Sequence, residues 1–402
     1  MAIRSLVPLV CLLLVACGAS AQEPPSPQTV TAAQLQGAID KLGDLDYATR
    51  TNAARVVRRT ASSQAVPALL RAVDEHADGY VRYRALVLLT GFNDPRTKDA
   101  MRHSLTSPND RLRTVAYSFF EREPDPSLAQ QFVEALDKEQ GEFVRPALVR
   151  SLAALGASGQ TPGGGQSQLT IRQALVREVG RGENFFRSSV IEALGDYKAA
   201  YAADAIEAVA KAEGPLQDDA ALAVGKIGGP RALETLAALQ RTAPRGAQPS
   251  IAAGICLLGV NCESHVKFLV ETLNFSNTNP GYQELLRAAA AGLGALGVAG
   301  QQPAVDALFA VGIPAKEDST RAPVALAAAT VALRRTPLML TVLGGRPDRD
   351  AALALVAEGF DMLEEDLEKE RFYAFVRRTY WDSTDASPNR ALMQTLIGKL
   401  DF

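Results

Sequence analysis

The chain has 402 residues, 47% of them hydrophobic and 22% charged, with a formal net charge of −3. These proportions belong to a folded chain, and there is no basic excess to neutralise phosphates, so nucleic acid is excluded as an expected partner. Aromatics make up only 6%, which favours closely packed helices over β-sheet.

The first element reads as an export signal. Arg4 gives a positive start, and Leu6 to Val15 is an apolar run too short to span a bilayer. Leu14-Val15-Ala16-Cys17 resembles the bacterial lipobox. That resemblance implies a signal peptide over residues 1–16 and lipidation of Cys17, which becomes the new N-terminus. Loss of Arg4 takes the net charge from −3 to −4. Gly18, standing where an aspartate would retain the protein at the inner membrane, implies outer-membrane attachment facing the periplasm. Ala19-Ser20-Ala21 offers a competing A-x-A cleavage site, which would release a soluble periplasmic or secreted protein. Residues 17–34 form the expected linker, because the prolines of Gln22-Glu23-Pro24-Pro25-Ser26-Pro27-Gln28 favour an extended chain.

A repeat then runs along most of the sequence. Arg50, Arg82, Arg113, Arg145, Arg187, Arg287 and Arg321 each stand three residues before a small or aliphatic anchor: Ala53, Ala85, Ala116, Leu148, Val190, Ala290 and Val324. Gln217 with Ala220 and Gln248 with Ile251 are glutamine copies. Successive anchors lie 32, 31, 32, 42, 30, 31, 39 and 34 residues apart. Apolar residues after each anchor keep one helix face, and Gly156, Gly195, Gly228, Gly259 and Gly297 stand where a left-handed C-cap would end the helix. The pattern V-R-x-x-A-x-x-x-L-x-x-x-G resembles the HEAT repeat, in particular the shorter type also found in phycobilisome lyases. It implies an all-α fold, an armadillo-like α-solenoid of about nine HEAT-like repeats over residues 35–345. The longest interval holds Gly156 to Gln168, which reads as a mobile loop: a partner-binding flap or a tolerated surface insertion.

The arginines admit two readings. They form a basic groove for an acidic partner, or a structural ladder. Asp46, Asp78, Asn109, Glu183 and Glu317 precede them by four positions, where they suit helix N-termini. The ladder reading lets the arginines bridge to acidic turns of neighbouring repeats. Cys256 and Cys262 form a disulfide clamping a helix end to its loop, or are two small buried apolar side chains.

After residue 345 the rhythm changes, and residues 346–402 are expected to form a helical C-terminal cap over the last apolar face. Leu353, Val356, Phe360, Leu363 and Leu367 form one stripe, and Phe372, Phe375, Val376 and Tyr380 share a core face. Tyr373, Arg377 and Trp381 share another, either an exposed interface stripe or a face of cap packing with cation–π stacking.

Catalytic and metal signatures are missing from the sequence. His76, His103 and His265 stand apart, with no H-E-x-x-H and no G-x-S-x-G. Gly292-Leu293-Gly294-Ala295-Leu296-Gly297 fits G-x-G-x-x-G, but a helical segment precedes it where a dinucleotide site needs a strand. The expectation is a non-enzymatic protein-binding scaffold or adaptor, with no cofactor and no metal, held at the membrane by its N-terminal lipid. The alternatives are a cofactor-handling or lyase-type HEAT protein and a self-assembling structural lipoprotein.

Overall fold

The computed structural model describes residues 27–158, 165–279, 281–363, 365–384, 386–400 and 402. The expected signal peptide, Cys17, residues 17–26 of the linker and the centre of the Gly-rich insertion lie outside them. The described chain enters the fold at Gln28, whose N–H donates to the Arg59 carbonyl at 2.7 Å and whose carbonyl accepts from the Ala61 N–H at 2.8 Å.

Every named element is a helix. The first pairs are α1 (Ala32–Asp40) with α2 (Tyr47–Arg59), α3 (Ser62–Glu75) with α4 (Gly79–Leu89), and α5 (Arg96–Ser104) with α6 (Asp110–Arg122). Next come α7 (Ala129–Lys138) with α8 (Val144–Ser158), α9 (Gly165–Val179) with α10 (Asn184–Asp196), and α11 (Ala203–Lys211) with α12 (Gln217–Ile227). Then follow α13 (Ala232–Thr242) with α14 (Gln248–Leu257), α15 (Cys262–Thr278) with α16 (Gln283–Val298), and α17 (Gln302–Gly312) with α18 (Asp318–Arg334). The pair α19 (Thr336–Gly345) with α20 (Arg349–Met362) precedes a final pair, α21 (Asp366–Asp382) and α22 (Pro388–Leu400).

The even-numbered helices from α4 to α20 stack side by side as an inner layer, and the odd-numbered ones pack outside them. This is the all-α solenoid. An inner helix has neighbours on several sides, so its sequence is apolar nearly all round. Residues 151–156 of α8 and 249–256 of α14 are buried without interruption.

Small residues set how closely the inner helices approach. A Cβ on Gly225 of α12 would lie 2.3 Å from the Cα of Gly254 on α14. A Cβ on Gly294 would meet Ala327 of α18 at 3.2 Å, and one on Gly359 would meet the Ala325 carbonyl oxygen at 2.2 Å. Inner helices drawn together in this way, with bulkier side chains between the layers, curve the stack.

The N-caps fall where the pattern put them. Asp46, Asp78 and Asn109 accept from the N–H groups of Thr49, Tyr80 and Arg111 at 2.7, 2.7 and 3.0 Å. Glu183 and Glu317 occupy N-cap positions without a side-chain cap bond. The C-cap expectation is correct for only part of the set. Gly228 and Gly259 have positive φ, +72° and +79°, the conformation that glycine tolerates best. Gly156, Gly195 and Gly297 instead lie inside their helices, beside Tyr201, Ala223 and Val331. The insertion is also shorter than expected, since α8 runs to Ser158 and α9 starts at Gly165.

The cap differs most. The inner layer continues through α20, so the change of architecture comes after Met362 rather than after residue 345. Arg349, three residues before buried Ala352, is a tenth copy of the repeat anchor. Phe375, expected in the core, is 39% exposed. Helix α21 does not merely cover the last repeat. It packs against α4, α6 and the turn at 90–92 as well as against α18 and α22, joining the two ends of the solenoid.

Candidate functional site

Five of the seven repeat arginines, Arg50, Arg82, Arg113, Arg187 and Arg321, share one task. Arg82 Nε donates to the Val73 carbonyl at 2.7 Å, Arg187 Nε to Val179 at 2.9 Å, and Arg321 Nη1 to Gly312 at 3.0 Å. Each reaches back to a carbonyl at the C-terminal end of the preceding outer helix, where the last carbonyls lack intrahelical donors. Arg50 caps Asp44 and Leu45, and Arg113 caps Ser107. The glutamine copies act alike: Gln217 Nε2 donates to Ala210 at 3.0 Å and Gln248 Nε2 to Ala243 at 2.9 Å. A neutral amide suffices, so the shared requirement is a donor rather than a charge. Arg349 caps Leu343 and Gly344 in the same manner.

Bridges to neighbouring repeats add to this at some rungs. Arg113 grips Glu139 at 2.8 Å, Arg321 grips Glu358 at 2.6 Å, and Arg145 lies 3.8 Å from Glu178 and over the Phe186 ring. Arg287 pairs with Glu284 of its own helix, and its side chain is 61% exposed.

A second set of arginines, which the sequence pattern does not mark, points into the inner face. Arg58 of α2 donates to Glu370 at 3.0 and 2.8 Å. Arg84 of α4 pairs with Asp366 at 2.7 Å, and the Tyr83 hydroxyl donates to the same carboxylate. Arg122 of α6 pairs with Glu368 at 3.0 and 2.9 Å. Three successive repeats thus each give one guanidinium to one carboxylate of α21. Burial alone would raise the pKa of Asp366, but Arg84 and Lys369 pull it well below the usual carboxylate range. Burial opposes ionisation of Glu368 as well, and Arg122, Arg371 and Arg334 override it. Gly91 leaves room for this contact: a Cβ there would lie 2.9 Å from the Glu370 carboxylate.

Helical geometry explains the alignment. Asp366, Glu370, Tyr373, Arg377 and Trp381 follow one another at four, three, four and four residues, so they form one face. The expected stripe of Tyr373, Arg377 and Trp381 is therefore the C-terminal part of a longer face, and it is not an open interface. Arg377 is buried and donates to the Arg58 carbonyl at 2.7 Å. Its guanidinium stacks on Trp381, Arg58 stacks on Tyr373, and Tyr373 stacks on Phe402. Extending the spacing backwards from Tyr373 would have found Glu370 and Asp366; nothing in the sequence places Arg58 or Arg84 opposite them.

Direct contacts reinforce the closure. Glu121 of α6 takes Arg150 at 3.0 Å and the Tyr197 hydroxyl at 2.9 Å, with Arg334 of α18 at 3.7 Å. Tyr47 reaches Asp361, and Arg59 donates to the Phe402 carbonyl. Two clefts flank α21. One, of about 270 Å³, lies among Arg58, Thr60, Asn93, Arg378 and Trp381; the other, of about 440 Å³, lies among Arg122, Arg334, Arg371 and Phe375.

Cys256 and Cys262 are joined as a disulfide between the end of α14 and the start of α15. Among the described residues no group of His, Cys, Asp and Glu could hold a metal ion, and no single helix is long and apolar enough to cross a membrane. The glycines of Gly292-Leu293-Gly294-Ala295-Leu296-Gly297 lie within α16. Gly292 packs against Leu269 and Ala253, Gly294 against Ala327, and Gly297 against Val331 and Val305.

The family model for HEAT repeats matches residues 35–119 and 73–153. No curated protein sequence matches. Among solved structures, the complex of CpcE and CpcF of phycocyanin lyase from Nostoc sp. is 19% identical, over 67% of this chain and 97% of that one, with a TM-score of 0.40. A structure of Kap95p with RanGDP is 13% identical, over 92% of this chain and 56% of that one, with a TM-score of 0.44. Importin beta is 13% identical, over 91% of this chain and 55% of that one, with a TM-score of 0.41. The chain thus spans just over half the length of the last two. Residues 35–153 match the HEAT-repeat model in sequence, and stacked helix pairs continue to Met362, so the chain is an all-α solenoid whose first repeats are similar to HEAT repeats.

Proposed function

We propose that the protein is a non-enzymatic, protein-binding scaffold of the cell envelope, tethered to a membrane through a lipid on Cys17. The repeat architecture carries the binding part of this reading. Stacked helix pairs present long surfaces built from one side chain per repeat, which suits extended protein partners. The inner row Arg58, Arg84 and Arg122 is built in this way, one guanidinium per repeat, and α21 lies on it.

The address rests on the sequence. The lipobox-like Leu14-Val15-Ala16-Cys17 is followed by a proline-rich stretch that leads to Gln28, where the described chain is bonded to the Arg59–Ala61 segment. A paired Cys256 and Cys262 is in keeping with an oxidising compartment.

Palmitate labelling of wild type and Cys17→Ala, followed by cross-linking mass spectrometry in cells, tests both parts. The expected result is label lost with Cys17 and one reproducible set of protein neighbours. Label retained in Cys17→Ala refutes the anchor, and a random set of neighbours refutes the scaffold.

A further inference from the structure

The two sides of α21 differ in chemistry. Phe372, Val376 and Tyr380 belong to the apolar core of the C-terminal half, which runs from Ala252 to Phe402. The core of the N-terminal half runs from Leu35 to Ile255, and from α21 only Leu367 joins its buried set. Apart from the stacking of Arg58 on Tyr373 and of Arg371 on Phe119, the rest of the grip on α2, α4 and α6 is ionic and polar: Glu370 with Arg58, Asp366 with Arg84 and Tyr83, Glu368 with Arg122, and Arg377 with the Arg58 carbonyl. Withdrawing α21 from the first three repeats therefore uncovers chiefly charged groups, which water solvates, while its apolar side stays packed.

We propose that the arginine row Arg58, Arg84 and Arg122 is a docking surface for an acidic helix of a partner protein, and that α21 occupies it as an internal stand-in while the ring is closed. This rests on the reading of the protein as a binding scaffold and names the chemistry of its partner. The occupant seen in the structure specifies what fits: carboxylates at positions i and i+4 facing α4 and α2, one at i+2 reaching α6, and an aromatic ring at i+7 under Arg58. A guanidinium–carboxylate pair with two parallel bonds, as at Arg122, selects such a helix by geometry as well as by charge. A partner replaces these pairs like for like, so it avoids the large penalty of leaving buried arginines unpaired. The tethered α21 competes at a high effective concentration, which keeps weak acidic helices out.

The probe is a fluorescent synthetic peptide of the α21 sequence, residues 366–382, titrated into the full mature chain. Wild type is expected to bind it weakly. The variant Asp366→Asn/Glu368→Gln/Glu370→Gln, which removes the internal carboxylates, is expected to bind at least about tenfold more tightly. Affinity should fall with added salt and be lost when Arg84→Glu is added. A peptide carrying the same three neutral substitutions should not bind. Binding no tighter in the variant than in wild type, or equal binding of the neutral peptide, overturns the proposal. If the triple variant loses its helical circular dichroism, hydrogen exchange of wild type with the peptide in millimolar excess decides. Faster exchange of α21 amides supports displacement, and unchanged exchange overturns it. A failed peptide titration alongside a reproducible cross-linked partner in cells refutes this inference and leaves the scaffold reading standing.

Discussion

Replacing Gly225 by alanine should strain the ring at its tightest joint. A Cβ at Gly225 would lie 2.3, 2.5 and 2.7 Å from the Cα, carbonyl oxygen and carbonyl carbon of Gly254. All three are backbone atoms of α14, so no side chain can swing aside. Restoring an ordinary contact of about 3.4 Å requires α12 and α14 to separate by roughly 1.1 Å on the inner side. With packed helices about 10 Å apart, that wedge rotates one half of the ring by about 6° against the other. Carried over roughly 30 Å, three helix spacings, the rotation moves the far side by about 3 Å. The ion pairs at Arg58, Arg84 and Arg122 are 2.7–3.0 Å long, so a shift of that size separates them. Overpacking of this kind costs about 3 kcal/mol, which lowers the melting temperature by about 4 °C for a chain of this length. Thermal denaturation and small-angle scattering, with Gly37→Ala as control, provide the assay. Gly37 lies inside α1 with nothing within 4 Å of an added Cβ, so its substitution should stabilise by about 0.5–1 kcal/mol. A Gly225→Ala protein with the wild-type melting temperature and radius of gyration would refute the close-packed joint.

The repeat arginines should tolerate glutamine better than alanine. Arg82→Ala leaves the Val73 carbonyl without its donor and should cost about 1–2 kcal/mol, whereas Arg82→Gln should keep most of that stability in urea unfolding, as the glutamine copies at Gln217 and Gln248 suggest. In the folded ring Asp366 and Glu368 are held below their ordinary carboxyl pKa. Their contribution is therefore complete above the unfolded value of about 4 and is lost as pH falls further. A melting-temperature profile of Asp366→Asn should be flatter than wild type on that acid limb, and parallel profiles would count against the ion pair. Cys256 and Cys262 should resist alkylation until reduced, and reduction should lower stability by about 2 kcal/mol, the loop-closure value for a short loop; carbamidomethyl groups mapped to Cys256 and Cys262 in the unreduced protein would contradict the pairing.

How far the sequence reaches depends on the range of each interaction. The repeat arginines, their anchors and the capping residues at Asp46, Asp78 and Asn109 act within one helix pair, so spacing alone exposes them. Arg349 continued the same spacing with Ala352 and was legible too, although its acidic surroundings masked the rhythm. The glycines mislead where two uses of glycine look alike in sequence. Gly228 and Gly259 supply a left-handed turn, while Gly195 and Gly297 admit a neighbouring helix, and only the neighbour distinguishes them.

Composition and periodicity by themselves determined an all-helical stack of helix pairs and the register of the arginine row along it, because those features follow from a face repeated every turn; that the row caps helix-end carbonyls emerged only from the structure. Tertiary structure decided that the stack closes on itself. Arg58 and Glu370 are 312 residues apart, Arg84 and Asp366 are 282, and Arg122 and Glu368 are 246. Their meeting depends on curvature summed over every joint between inner helices, a sum that no single repeat records.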